Sequence, residues 1–207
     1  SLNDTTRAYF LAQAEMASPD VAADMRAVVA DPTNDEAAQR LWTANPSWNG
    51  MLRTTCVATQ FDGGHAPNAL PQRAKVNVNC RILPGVPMEQ VRADIIRVIA
   101  DDAISVHFGD EMGLPAPVPP LTAEMLDPIR TIAKALWPDA RVVPTMATGA
   151  TDGRFLNAAG TPTYGISGVF ADAAGSGAHG LNERIRVQSL LDARQFLHEL
   201  VTSYTRH

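Results

Sequence analysis

The sequence predicts a mixed fold, with an α+β front portion followed by an α/β portion. Three observations carry this reading. Residues 74–82 alternate cleanly, with Val76, Val78, Cys80 and Ile82 on one side and Lys75, Asn77, Asn79 and Arg81 on the other, the period-2 mark of a strand. Between Met51 and Phe108 the pattern runs strand, strand, helix, strand, most of a split βαβ sandwich without its first strand and helix. After a stiff stretch containing Pro115, Pro117, Pro119 and Pro120, helical and strand patterns alternate, which is α/β in style.

Each element has a local reason. Asn3 or Asp4 can cap a helix with Ala8, Leu11 and Ala14 on one stripe. Ser18-Pro19 opens a second helix, in which Val21, Met25, Val28 and Val29 recur at helical spacing. Asn34 caps a third that ends near Trp42, and Asn45-Pro46-Ser47 and Asn49-Gly50 read as turns. Met51–Phe61, rich in Thr and Val, reads as a strand, and residues 62–68 as a loop. Met88–Ala100 is amphipathic, with Val91, Ile95, Val98 and Ile99 expected inward. Strands follow at Ile104–Phe108, Val142–Thr145 and Thr163–Ile166, with helices from Asp127-Pro128, within 146–159, and near Ser189–Tyr204. Val187, Leu190, Leu191, Phe196, Leu197, Leu200 and Val201 form the apolar stripe of the last helix. Two strands make no covered parallel sheet, so the back portion reads as a piece of a larger one. The boundary falls in the Pro-rich stretch, dividing the chain into 1–112 and 113–207.

Composition bounds the function. The chain has 207 residues, 45% hydrophobic and 19% charged, enough for one or two ordinary globular domains. No apolar run approaches a membrane span. A net charge of −5 argues against nucleic acid or an anionic membrane as partner. The polar start, Ser1-Leu2-Asn3-Asp4, has no leader character, and the compartment stays open between cytoplasmic and periplasmic or secreted. Cys56 and Cys80 can pair in an oxidising compartment or sit as two small core thiols, the plainer reading. There is no CxxC and no Cys/His cluster, so a structural zinc finger is excluded.

Three loops contain residues suited to chemistry. Met146–Phe155 holds Thr148, Gly149, Thr151, Gly153 and Arg154 between a strand and a short helix. Free backbone N–H groups and a planar guanidinium there suit a carboxylate. Pairing of Arg154 with Asp152 in a solvated loop explains the pattern equally well. In Gly175–Ile185, His179 sits among small residues where an imidazole can approach a metal, with Glu183 placed to ligate, to orient it or to cap a turn. One His cannot hold zinc by itself. The third loop, Gly63–Pro71, holds His65 and Asn68 and leads into the strand that ends at Arg81.

Taken in order, Asn68-Ala69-Leu70-Pro71, Cys80-Arg81-Ile82-Leu83-Pro84-Gly85, Thr148-Gly149-Ala150-Thr151-Asp152-Gly153-Arg154-Phe155 and His179-Gly180-Leu181-Asn182-Glu183-Arg184-Ile185 resemble the M20 zinc metallopeptidases. That family comprises carboxypeptidases, dipeptidases, aminoacylases and desuccinylases. The resemblance runs from about Met51 to the C-terminus and is closest to the dipeptidase and carboxypeptidase-S-like branch. It implies the C-terminal part of a zinc-exopeptidase α/β/α domain behind an incomplete ferredoxin-like lid, through which members form homodimers. It implies His179 as a ligand to one of two zinc ions and Arg154 as the residue that takes the substrate's free carboxylate. Thr148 and Gly149 would line the substrate backbone. Asn68 and Arg81, with His65 as a weaker candidate, would reach substrate from the lid, in many members across the dimer. The substrate would be a small peptide or an N-acyl amino acid.

The family pattern also needs an earlier His-x-Asp, a bridging Asp and a Glu-Glu pair that supplies the general base. None stands upstream of Met51, where Asp35-Glu36 is the only adjacent acidic pair. No catalytic residue is therefore assigned in this chain, which is expected to hydrolyse nothing alone and to hold zinc weakly or not at all. The rival reading is a non-catalytic dimerisation or ligand-binding fragment. A third is a ferredoxin-like regulatory module joined to an unrelated anion-binding domain.

Overall fold

The computed structural model describes residues 2–109, 117–172 and 175–206. The expected boundary at 112–113 lies outside the described residues. The chain divides into two compact units, one of Ser1–Val118 with Pro144–Thr161 and one of Pro119–Val143 with Pro162–His207. The fold is mixed, with eight helices and one two-stranded sheet among the described residues.

The first unit opens with three helices that begin where the caps predict. Helix α1 (Asp4–Ala14) starts after Asn3, whose side-chain oxygen accepts from the Thr6 N–H and from the Thr6 hydroxyl, each at 2.9 Å. Helix α2 (Pro19–Ala30) follows Ser18 with proline at its first position, and α3 (Asp35–Ala44) is capped by Asn34, which accepts from Ala37 N–H at 3.0 Å. Asn3 and Asn34 each satisfy an amide donor that the first turn leaves orphaned, whereas the Ser18 side chain makes no capping bond and α2 starts on its proline. Asn45–Gly50 does not form the expected turn. Asn45 caps a further helix, α4 (Pro46–Leu52), by accepting from Ser47 N–H. The signal misled because Asn-Pro serves equally as N-cap and first helical position.

These helices enclose a core built on Phe10, Met25, Val28, Ala37 and Leu41, each large side chain contributing about 2 kcal/mol by burial. Tyr9 sits edge-on to Phe10 and accepts from Trp48 Nε1 at 3.1 Å. The Arg7 guanidinium donates to the carbonyl of Val29, the next-to-last residue of α2, at 2.6 Å. Asp24 takes a two-pronged bond from Arg40, and that carboxylate raises the Arg40 pKa.

Strands β1 (Thr55–Gly63) and β2 (Ala74–Arg81) form an antiparallel hairpin. Pairing runs from Thr55 opposite Arg81 to Gly63 opposite Ala74, with a bulge at Thr59 between Ala58 and Gln60. The bulge keeps Cys56, Ala58 and Phe61 on one face, opposite Cys80, Val78 and Val76. That face is apolar as read, but it is open to solvent, with Phe61 76% exposed. Cys56 and Cys80 are direct register partners with Cα atoms 4.1 Å apart, and their sulfurs are bonded. They are not the core thiols that the plainer reading expected. The alternation gave their face but not their partner strand's register, which decides pairing.

After β2 comes α5 (Met88–Ile99), ended by Ala100 in the left-handed region at φ 49. Val91 is buried, but Val98, expected inward, is 74% exposed. Residues 104–108 join no ladder. Arg92 instead donates to the Val106 carbonyl and lies 5.9 Å from the Phe108 ring centre. Helix α6 (Ala123–Leu136) belongs to the second unit and α7 (Gly153–Ala158) to the first.

In the second unit α6 packs on α8 (Val187–Thr205) through Ile129, Ala133, Phe196 and Leu200. Helix α6 begins a turn before Asp127-Pro128, because Thr122 caps it by accepting from Met125 N–H; Pro128 therefore lies inside the helix. On α8 the buried line is Ser189, Ala193, Phe196 and Leu200, whereas Val187, Leu190, Leu191 and Val201, expected in the stripe, are exposed. Tyr204 donates to the Met125 carbonyl at 2.5 Å, tying the end of α8 to α6. Burial raises its phenol pKa, aided by the negative charge of Glu124 and by Tyr164. The strands expected at Val142–Thr145 and Thr163–Ile166 do not form, and neither segment joins a ladder among the described residues. Strand propensity expresses itself only against a partner strand, and neither segment has one among the described residues.

Candidate functional site

The loop from Met146 to Asp152 is held by three elements of the first unit. Met146 packs on the helical core, with its sulfur 3.8 Å from Asn3 Nδ2 and 4.0 Å from the Thr6 hydroxyl. The Thr148 methyl lies against Gly50 of α4, where an added Cβ would stand 3.0 Å away. From the end of β2 the Arg81 guanidinium donates to the Thr148 carbonyl, and it lies 3.8 Å from where a Cβ on Gly149 would be. Arg81, Thr148 and Gly149, picked out separately in the sequence, thus form one cluster.

The loop runs into α7 through two local bonds, from Gly153 N–H to the Thr151 hydroxyl at 3.4 Å and from Arg154 N–H to the Thr151 carbonyl at 3.2 Å. Arg154 is half-buried, and its guanidinium carbon lies 4.7 Å from the centre of the Phe155 ring. A cation over an aromatic face is held without being neutralised. Among the described residues no carboxylate pairs with Arg154. The Asp152 side chain caps nothing, so the Asp152–Arg154 pairing weighed from sequence does not form. This leaves a planar, doubly donating cation open to an anion. Phe155 was not singled out from sequence; the Arg-Phe step was its one signal. Gly50, Asn3, Thr6 and Met146 had none, since their roles come from contacts between distant segments.

His65 and Asn68 lie elsewhere. Both are exposed in the connection between β1 and β2, which Gly64 enters at φ 81. That connection closes the end of the hairpin opposite Arg81. The ladder between them is 8 residues of β2, so roughly 23 Å separates the two ends at about 3.3 Å per residue. Within one chain, His65 and Asn68 do not meet Arg81 and Thr148.

His179 belongs to the second unit. Its backbone sits at φ 64, a conformation that costs a non-glycine residue about 1 kcal/mol. The turn around it is pinned by Gly180 N–H to the Gly177 carbonyl and by Arg184 N–H to the Ser176 carbonyl, both at 2.8 Å. Gly177 sits at φ 65, and a Cβ there would stand 3.1 Å from the Asn182 carbonyl oxygen, so a side chain would be strained and crowded. Asp172 draws Arg186 to 2.6 Å and Arg184 to 3.7 Å. Among the described residues Glu183 makes no hydrogen bond to His179, and its own N–H donates to the Gly180 carbonyl at 3.4 Å. No three His, Cys, Asp or Glu side chains converge on a metal-sized space among those residues. A zinc centre takes three or four protein donors, so His179 as a single donor does not make one.

The sequence profile of the M20 peptidase dimerisation domain matches residues 12–107, which include the hairpin and α5. The chain is 29% identical over 166 residues to human N-fatty-acyl-amino acid synthase/hydrolase PM20D1, covering 78% of this chain and 33% of that protein. It is 24% identical over 169 residues to probable carboxypeptidase S-like 2 of Dictyostelium discoideum, covering 81% and 33%. The chain is part of an M20 family peptidase-like protein. As an M20 chain it falls in a family of hydrolases acting as peptidases or amidohydrolases. It spans about a third of the length of the curated relatives it matches. No solved structure matches it. No described helix is long and apolar enough to cross a membrane.

Proposed function

We propose that this M20 chain carries the carboxylate-recognition part of an amidohydrolase or exopeptidase acting on small peptides or N-acyl amino acids. The observation that carries the reading is Arg154, half-buried, stacked on Phe155 and without a carboxylate partner among the described residues. A half-buried guanidinium with an open fork is suited to the free carboxylate that these substrates share. The relative named N-fatty-acyl-amino acid synthase/hydrolase supports the N-acyl amino acid end of that range. Thr148 and Gly149 offer backbone groups along the bound acyl-amide, which Arg154 anchors at one end, so the amide is presented in a fixed orientation.

Residues 1–112 serve as part of the lid and dimerisation domain, and 113–207 as the C-terminal part of the catalytic domain. The distance between the two hairpin ends gives the dimer a purpose. His65 and Asn68 cannot serve the Arg81 end of their own chain, so they serve a second copy. His179 supplies one donor toward zinc, with the remaining donors and the general base lying outside these residues. The 207-residue chain alone hydrolyses nothing, and tight two-site zinc binding by it would overturn that statement.

The test is a titration of the chain with N-acetyl-leucine and with its neutral amide, followed by backbone NMR. A charged hydrogen-bond pair is worth about 1.5–3 kcal/mol, roughly 10- to 100-fold in affinity. The acid should bind that much more tightly than the amide, with shifts at Thr148–Phe155, and Arg154→Ala should erase the difference. Equal binding of acid and amide would remove the basis for the proposal. The match to a peptidase dimerisation domain favours a second reading, a fragment that only dimerises. It predicts a dimer in sedimentation and no binding of either probe.

A further inference from the structure

Arg81 is the last residue of β2 and faces Thr55 across the end of the ladder. The preceding register pair is Cys56 and Cys80, whose sulfurs are bonded. The side chain of Arg81 leaves this cross-linked end to donate to the Thr148 carbonyl. Past this end of the ladder, the Leu83 N–H donates to the Thr54 hydroxyl at 3.1 Å. The apolar face that carries the cysteines is open to solvent among the described residues, with Phe61, Val76 and Val78 exposed, and Cys56 is exposed as well. A thiol reagent can therefore reach the bond in the folded protein.

We propose that Arg81 is a positioning residue for the Thr148–Gly149 loop, and that the Cys56–Cys80 disulfide is a reducible clamp that holds Arg81 in place. A dithiol reductant opens the clamp in two steps. One thiolate attacks a protein sulfur to form a mixed disulfide and release the other protein thiolate. The reductant's second thiolate then closes its own disulfide and releases the first. Two electrons pass to the protein, two protons follow from solvent, and Cys56 and Cys80 become thiols. The end of the hairpin then frays, because two strands alone are marginal in water. Arg81 loses its fixed origin and the Thr148 carbonyl loses its donor. The other two anchors, Met146 on α1 and Thr148 on Gly50, keep the loop in place but looser. The consequence for substrate rests on the carboxylate-recognition reading; the clamp itself does not.

Hydrogen exchange read by mass spectrometry tests the clamp without any substrate. The 207-residue chain is compared oxidised and after reduction with dithiothreitol, with the thiols counted in each state. Reduction should speed exchange in peptides covering 146–152 about fivefold, the factor for losing one net hydrogen bond of about 1 kcal/mol. Helices α1 to α3 should keep their protection. Arg81→Ala should give the fast loop in both redox states, and Arg81→Lys, which retains a long cationic donor, should restore the slow loop and its redox dependence. Four results would each overturn the proposal: two free thiols in the oxidised chain, no change at 146–152 on reduction, loss of protection throughout α1 to α3, or redox dependence surviving in Arg81→Ala. The acid-against-amide titration reads the substrate proposal separately, so either can fail while the other stands.

Discussion

Gly168 shows how a single backbone position can be weighed. It sits at φ 65, and a Cβ there would meet Phe196 at 2.8 Å from Cδ1, 3.2 Å from Cγ and 3.3 Å from Cβ. Phe196 is 2% exposed and lies in the packing of α6 on α8, with Trp137 at 5.4 Å. Gly168→Ala therefore meets two costs. The left-handed backbone costs an alanine about 1 kcal/mol. Forcing a methyl into a filled core costs about 2 kcal/mol more, within the usual 1–3. The expected loss in the second unit is about 3 kcal/mol. Gly175 separates the two terms, since it sits at φ 79 with nothing within 4 Å among the described residues. Gly175→Ala should lose only the backbone term, about 1 kcal/mol. Urea unfolding followed by fluorine NMR of labelled tryptophan resolves Trp137 from the tryptophans of the first unit. If the two variants unfold within about 0.5 kcal/mol of each other, the packing argument around Phe196 is wrong.

Other outcomes follow from single contacts. Gly50→Ala places a methyl 3.0 Å from Thr148 Cγ2. It should destabilise the first unit despite the roughly 1 kcal/mol that alanine adds to a helix, and pairing it with Thr148→Ser should reverse the sign. Chemical denaturation of the single and double variants checks this. His179→Gly should raise stability by about 1 kcal/mol by relieving φ 64, measurable as a higher melting temperature; a fall would show that the imidazole has contacts that outweigh the strain. The Asp31 carboxylate is held below its ordinary 3.8 by the Thr33 hydroxyl and then by the Thr33 N–H. Its contribution to stability is thus fully present above that ordinary value and lost as pH falls through the lower folded one. Thr33→Val should move the Asp31 midpoint in a carbon NMR titration back up towards 3.8.

The helices were legible because their signals are local. Asn3, Ser18 and Asn34 each open a helix as read, Asn3 and Asn34 by accepting from the amide three positions on and Ser18 by preceding the proline of the first turn. The alternation at 74–82 gave β2 because one strand of that hairpin carries its own period. Segments 104–108, 142–145 and 163–166 failed for the complementary reason. Their strand character needs a neighbour that sequence pattern does not supply. The same distinction runs through the site. Arg154 and Thr148 were visible as residue types in a glycine-bearing loop. That Arg81 ends on the Thr148 carbonyl, or that Gly50 must lack a side chain, depends on contacts 67 positions apart or farther, and no local pattern encodes them. The disulfide lies between: both cysteines were visible, but their bonding needed the hairpin register.

The contacts of Asn3 and Thr6 with Met146 join residues 143 and 140 positions apart. They bear on the order in which the molecule assembles. The helices α1 to α4 can pack as soon as they leave the ribosome, since their contacts are between neighbours. The loop that starts at Met146 cannot dock on them until roughly ninety further residues have been made, and closing so long a loop is entropically slow. For that interval the methionine's place beside α1 is open to water and to other chains. Growth temperature and chaperone supply should therefore govern the yield of docked protein more than the stability of the helical core does.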